Sequence, residues 1–480
     1  MKKTHLIFSL VLFALLVEFF IVLHPIAIFD TDDWNFIYMP RIPVPIIGKW
    51  NPIKVFPEFF MPLVSYIGAY TVYPLTGKYC LSLSIANGLF ICFIITVYFT
   101  EFYLLIQKKY KLSTVKSLLI SVVFIGMHFC AVAHGRKNNV FLFYAYDMTC
   151  VYHYILSTLL NASLVMHLMR IGGLGAWKTL AKKNKIHLAL WIYFAIFSSL
   201  YSSVVLGAYL GVELLHALYK EVKGKSFNVK SYWTKNRPPL IVILVWFCSF
   251  IIEKTGGRAA CFATGIPHNI LSSGKRMVFW FGHFNIIFVV IGAAVIILRI
   301  FFLKREYLVE DAKIALALCL TTIYIILLSA VVNYTYVERT DAILPVAFWA
   351  LFMLMMFVGK MSEKIKYGNT ILSLMAAVSV IGTVYYSNTY EEINYEKLPY
   401  ENCEAFVDDV INQFKEAESQ GETEIELVLP EFNTDDNWPI ADYASGSFSE
   451  SLYFHGVTDQ KIDVEKMVFT KRKNKEFGIN

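Results

Sequence analysis

Three carboxylates within four residues, Asp30, Asp32 and Asp33, stand directly behind the first hydrophobic run of the chain, with Trp34 beside them. Neighbouring carboxylates raise one another's pKa, so one of them can serve as a base near neutral pH. Activating a sugar hydroxyl requires such a base, or a metal ion held by it. The same spacing also suits an acidic cap in solvent at the end of a membrane span. The adjoining stretch favours chemistry: Arg41, Pro43, Pro45, Lys49, Trp50, Pro52, Lys54, Pro57, Glu58 and Pro62 form a polar, proline-punctuated loop that carries aromatic residues. This stretch is expected to be the active-site loop of a membrane enzyme, framed by the spans.

A second set is cationic: Arg136, Lys137, Lys254, Arg258, Lys275, Arg276 and Arg339. A phosphate leaving group needs fixed positive charge, and the planar arginine fork suits it best. Attraction to lipid head groups is the competing explanation. Arg339, in the short loop Glu338-Arg339-Thr340-Asp341, is expected either to bind phosphate or to pair with Glu338 or Asp341. The third set lies near span ends: Asp147, His153, Glu213, His216, His268 and His283. Ionisable groups in such places default to function. Asp147 and His153 can line one cavity, while Glu213 and His216 are spaced to bond each other. Tyr144, Tyr146, Tyr152 and Tyr154 form an interfacial aromatic belt first and a sugar platform second.

These residues need a frame, and composition describes one. The chain has 480 residues, 57% hydrophobic and 17% charged, against about 25% charged for a soluble domain. Net charge is +6, but 21 acidic and 8 basic residues from Asn388 onward make the tail −13, leaving +19 for the rest. Basic cytoplasmic loops and an acidic tail on the other side are implied. Lysines scattered over short loops do not make a nucleic-acid-binding face. The eight cysteines form no C-x-x-C pair, and most lie in apolar runs, where cysteine behaves as a small hydrophobe.

Eleven spans are predicted, at about 6–28, 79–107, 115–133, 147–170, 187–203, 204–220, 238–253, 278–303, 312–332, 342–359 and 369–387. Residues 54–76 are predicted to be interfacial or re-entrant helices within a first outer loop, 30–78. Lys2 and Lys3 hold the N-terminus in the cytoplasm. The expected fold is thus an all-α polytopic membrane domain, 1–388, and a small soluble α+β domain outside the membrane, 389–480. In the latter, Phe406, Val407, Val410, Ile411 and Phe414 mark a helix over 402–418, 424–429 alternates like a strand, and 464–469 is a second strand. No nucleotide-binding or zinc-protease motif and no nucleophile elbow occurs. An outward-facing enzyme would draw its donor from the lipid.

Asp-bearing Thr31-Asp32-Asp33-Trp34 after the first span, then Trp50-Asn51-Pro52 and Pro57, about eleven spans and an outward tail together resemble the GT-C superfamily of integral membrane glycosyltransferases. They are similar in particular to bacterial, O-antigen-modifying glucosyltransferase-like members. The resemblance implies inverting transfer of a sugar from a polyprenyl-phosphate donor to a cell-surface glycan at the outer face of the cell membrane. It assigns the base, or the binding of a divalent cation if one is used, to Asp32 or Asp33, with Asp30 third. Arg136, Lys137, Arg339, Asp147, His153 and Trp34 are the expected substrate contacts. The rival readings are a polysaccharide polymerase or ligase, and a non-catalytic transporter or flippase of lipid-linked glycans.

Overall fold

Apolar residues filling long stretches between basic loops fold as helices that satisfy their own backbone, the arrangement a bilayer demands. The computed structural model describes residues 2–225, 227–301, 308–362, 364 and 367–479. Among these, nine helices are long and apolar enough to cross a membrane, and ten if one bent pair counts as a span. The chain is a multi-pass, all-α membrane protein up to its tail.

The count differs from eleven for identifiable reasons. The 54–76 stretch, predicted as interfacial helices, is one helical run, Val55–Thr76, of spanning length. It runs as α-helix through Pro62 to Ile67 and continues as a π turn over Gly68–Val72. The predicted span 187–203 is instead the 15-residue helix Lys182–Ile196, because the chain leaves helical geometry before Ser199 and restarts as Leu200–Lys223. Predicted span 115–133 is a 17-residue helix, Thr114–Cys130. Predicted span 278–303 falls on Ile266–Phe281 and Ile286–Phe301, bent by 96°. Asn285 holds the break: its backbone N–H donates to Ala131 (2.7 Å) and its amide to Ala133 (2.8 Å). Of the basic residues that follow the predicted spans, Lys304, Arg305 and Lys366 lie outside the described residues.

After the last long helix, Gly368–Ser387, the tail carries a helix, Tyr400–Gln420, closed by Gly421 at φ 74°. Strand β1 (Glu424–Pro430) pairs in parallel with strand β2 (Asp463–Thr470), and helix Ser445–Phe454 lies in the crossover. Gln413 stitches the long helix to β1 by exchanging hydrogen bonds with Val428.

Loops converge at one end of the bundle. Phe56 N–H donates to Phe197 (2.9 Å), Gly257 to Lys49 (3.2 Å), Ala263 to Val331 (2.8 Å) and Asn139 to Thr389 (2.9 Å). The helix Thr31–Tyr38, bearing Asp32, Asp33 and Trp34, sits under the tail: Thr31 N–H donates to Pro439, Ala441 N–H to the Thr31 hydroxyl, and Ser451 to Trp34. The opposite end carries ion pairs such as Arg170–Glu101 and Lys313–Glu213.

Candidate active site

The three aspartates take three different parts. Asp33 is buried and its oxygens are occupied: Oδ1 accepts from the backbone N–H (2.8 Å) and hydroxyl (2.9 Å) of Thr149, and Oδ2 from Phe29 N–H (3.3 Å). It ties the start of helix Met148–Ile171 to its own helix. Asp30 is buried at the head of that helix. Tyr395 N–H reaches its Oδ2 (3.4 Å), and its Oδ1 has no partner. Burial first, then the charges of Asp33 and Asp147, push the Asp30 carboxyl far above the usual carboxylate range. Burial and Asp147 do the same to Asp33, against the bonds from Thr149.

Asp32 is the one left partly exposed, and it makes no hydrogen bond or ion pair within the chain among the described residues. Burial raises its pKa, and the positive charges of Lys54, Arg258 and Arg339 pull it back. Asp147 caps Met148 by accepting from Cys150 N–H. Burial and then the charge of Asp32 lift it to about 6. Asp32 is therefore within the influence of an acidic neighbour, Asp147, and of three cations.

Lys54 is buried at the head of Val55–Thr76. Its Nζ lies 3.1 Å from His153 Nδ1, and it faces the Tyr154 ring at 5.7 Å. Burial, with Arg258 adding to it, brings the amine down to about 7 despite Glu58 and Glu253. With Lys54 donating, His153 carries its proton on Nε2, which is buried without an acceptor.

The proline loop is a folded clamp. Arg41 donates to the Asn51 carbonyl (2.6 Å), to Glu58 (2.7 Å) and to the Pro52 carbonyl. This closes 41–58 on itself and sets Lys54 at its inner edge. The loop after Val229–Glu253 then docks against it. A Cβ on Gly256 would come within 2.5 Å of the Pro52 ring, and one on Gly257 within 2.5 Å of Trp50. Only glycines allow that approach, and it carries Arg258 over Asn51 (3.5 Å).

Arg339 pairs with Asp341 through both carboxylate oxygens (3.0 and 2.5 Å) and lies over the rings of Tyr146, Tyr154 and Tyr336, 5.0–5.1 Å from each. Glu338 pairs instead with Arg276 (2.5 Å). Arg339, Asp341, Tyr144, Tyr146, His134 and Lys397 line a cavity of about 360 Å3.

Other expected contacts are placed elsewhere. Arg136 and Lys137 are exposed in the turn held by Asn139, and neither is among the charges acting on Asp32. Trp34 is fully buried, its ring 4.7 Å from Phe448 of the tail, so it faces the tail packing and not an open site. Glu213 pairs with Lys313 (2.7 Å), not His216, at the far end of the bundle. His268 contacts Ser272 (3.3 Å) and His283 the Trp280 carbonyl (3.3 Å). Sequence pattern did not single out Lys54, nor Arg258 from the other outer cations. The available signals were a lysine heading an apolar helix and an arginine behind a glycine pair.

Among the described residues, no three His, Cys, Asp or Glu side chains converge as metal ligands. In the acid cluster the Asp32 carboxylate, Asp30 Oδ1 and the second oxygen of Asp147 are left over and can hold or release a proton. No family model, curated protein or solved structure matches this chain.

Proposed function

We propose that the chain is a membrane glycosyltransferase of GT-C type, moving a sugar from a polyprenyl-phosphate donor to a cell-surface glycan at the outer face of the membrane. The observation that carries this reading is the isolation of Asp32: a carboxylate without a partner among the described residues, set against Lys54, Arg258 and Arg339. A carboxylate base under the influence of three cationic groups suits one displacement in which a proton leaves an acceptor and negative charge collects on a leaving group. The acceptor hydroxyl oxygen attacks the anomeric carbon while the bond from that carbon to the phosphate oxygen breaks. The phosphate leaves with the bonding electron pair, and Asp32 takes the hydroxyl proton.

Each neighbour has a task in that step. Lys54, Arg258 and Arg339 offset the phosphate charge. The His153 Nε2–H supplies a further donor. Asp33 fixes the helix that aims Asp32, through its bonds to Thr149. Burial keeps Asp32 basic enough to accept a proton. The tail is then an extracytoplasmic α+β domain, which fits its placement on the helix Thr31–Tyr38 and its acidic composition.

The test is on glycans. The gene is deleted, surface polysaccharides and lipid-linked sugars are profiled by mass spectrometry, and the strain is complemented with wild type or Asp32→Asn at matched membrane levels. Loss of one hexose decoration with accumulation of its lipid-linked donor, restored by wild type but not by Asp32→Asn, is the expected result. An unchanged profile in the deletion strain overturns the reading. Whole undecorated chains retained inside the cell would replace it with transport.

A further inference from the structure

A second cavity, of about 460 Å3, opens in the tail beside the acid cluster. That volume lies within the ~300–1,000 Å3 range of small-ligand sites. Its wall includes Tyr395, Trp438, Phe432, Asn433 and Glu396. Tyr395 and Trp438 meet edge to face, centroids 6.0 Å apart at 89°. Tyr395 lies 6.0 Å from Tyr146, which carries Arg339 on its face at 5.1 Å. A continuous aromatic strip, Tyr146–Tyr395–Trp438, thus runs from the Arg339 cavity to the tail cavity. The backbone N–H of Tyr395 also reaches Asp30, so the strip starts at the acid cluster.

The polar groups along it are unspent. Among the described residues, the Glu396 carboxylate and Asn433 amide make no hydrogen bond or ion pair within the chain. Asn474, by contrast, is fully used in holding Glu431 through both backbone groups. The charged groups of the cavity balance: Glu396 and Glu431 against Lys471 and Lys475. A site for an anion would be built with a surplus of cations. Aromatic faces flanked by a free amide and a free carboxylate, without net charge, suit a neutral ligand with apolar faces and a hydroxyl rim. Pyranose rings have that character: their C–H faces lie flat on aromatic rings, and their hydroxyls both donate to carboxylates and accept from amides.

We propose that the tail cavity and the Tyr146–Tyr395–Trp438 strip bind a carbohydrate chain, and that this chain is the acceptor whose end is presented to Asp32. The second half of the statement rests on the transferase reading; the first does not. In this arrangement the tail chooses the acceptor, and the Arg41–Glu58 loop and its neighbours handle the donor.

The test uses the full chain in lipid nanodiscs, since sugar-headed detergents would compete. The probe is an array of defined mono- to hexasaccharides of glucose, galactose, mannose, N-acetylglucosamine and rhamnose. The expected result is binding that strengthens with chain length. Trp438→Ala should weaken it about tenfold, the scale of one lost aromatic contact. Asn433→Ala, at an exposed position with no partner among the described residues, should weaken it several-fold without shifting the Tm. Absence of binding to every array member, or wild-type binding by both tail variants, overturns the proposal. If oligosaccharides bind but the deletion strain keeps its glycan profile, the site stands and the transferase reading fails. If Asp32→Asn abolishes transfer while no oligosaccharide binds, the tail proposal fails alone.

Discussion

Glu101 and Asp33 are both buried carboxylates, and their surroundings differ in kind. Glu101 lies at the end of the bundle away from the tail. Arg170 grips both of its oxygens at 2.9 Å, and His167 adds a contact at 3.1 Å. Nearby, Lys313 pairs with Glu213 and Lys109 with Glu310, and Asp311 sits between Arg299 and Lys360. Asp33 has no cation on it. Its bonds come from neutral donors, and its charged neighbours include Asp30 and Asp147. A bundle can bury carboxylates cheaply by pairing them, as the first end does. Clustering four of them at the second end, one with an unpartnered oxygen and one with no partner among the described residues, costs stability, and perturbed carboxylates of this sort gather where chemistry is done.

The sharpest way to break the comparison is to remove one charge from each end and read rate and stability separately. At the acid end, Asp32→Asn should lower glycosyl transfer in membranes by roughly 10²–10⁴-fold, the range for a lost general base. The Tm should change little, since no hydrogen bond or ion pair within the fold is lost and the relief of Asp147 offsets the lost attraction of Lys54, Arg258 and Arg339. A transfer rate near wild type would make Asp32 a solvated cap. Asp33→Ala should do the reverse at the level of the fold. It strands the Thr149 and Phe29 N–H groups away from water, which costs roughly 3 kcal/mol. The Tm in nanodiscs should drop accordingly, and a stable Asp33→Ala protein would refute its role as a tether.

At the paired end, Glu101→Gln leaves Arg170 without its counter-charge. Both groups keep some exposure, so the expected loss is roughly 2 kcal/mol, below the 3–5 kcal/mol of a fully buried pair. The transfer rate per folded molecule, measured on protein normalised by ligand-independent folding, should stay at wild type. A selective loss of rate would show that the two ends are coupled and that they do not divide folding from chemistry.

How much of this was legible in the sequence differs between the same two regions. The membrane character and the cluster Asp30, Asp32 and Asp33 were visible because apolar length and local spacing are properties of adjacent residues. The tail helix and both strands were visible through periodicity in the same way. The division of labour among the aspartates was not visible. Thr149 lies 116 residues from Asp33, and only the folded chain shows that Thr149 uses up Asp33 while leaving Asp32 free. Lys54 was hidden for a related reason: its lowered pKa comes from burial and from Arg258, a residue delivered by a distant loop. The span count failed where tertiary bonds, such as those of Asn285 to Ala131 and Ala133, break a run that is apolar on average in sequence.

Lys54 offers a subtler test, through pH. The proposed step needs Asp32 ionised and Lys54 protonated. Burial raises the Asp32 carboxyl above its ordinary value, so activity should fall on the acid side as that group takes up its proton. Lys54, at about 7, loses its charge as pH rises, so activity should fall again above it. A bell-shaped profile is expected, its limbs belonging to the interacting groups jointly. Lys54→Arg keeps the positive charge at all accessible pH and should remove the alkaline limb, a gain of about tenfold relative to wild type for each pH unit above 7. An alkaline limb that persists in Lys54→Arg would assign it to another group.

The smallest expected effect discriminates between charge that is placed and charge that is merely present. Arg136 and Lys137 have the right chemistry for a phosphate and stand in a loop of the same end as Asp32. They are nonetheless exposed, on a turn whose backbone is held by Asn139 and not by either cation. An exposed charge is screened and gains little from a partner. Arg136→Ala and Lys137→Ala, singly or together, should therefore leave transfer and Tm within about twofold and 0.5 kcal/mol of wild type, the usual range for surface changes. Arg258→Ala, one cation removed from the inner set, should by contrast slow transfer strongly in the same assay. If the outer pair proved the more damaging, the donor phosphate would lie in the turn, and Lys54, Arg258 and Arg339 would be structural counter-charges for the acid cluster.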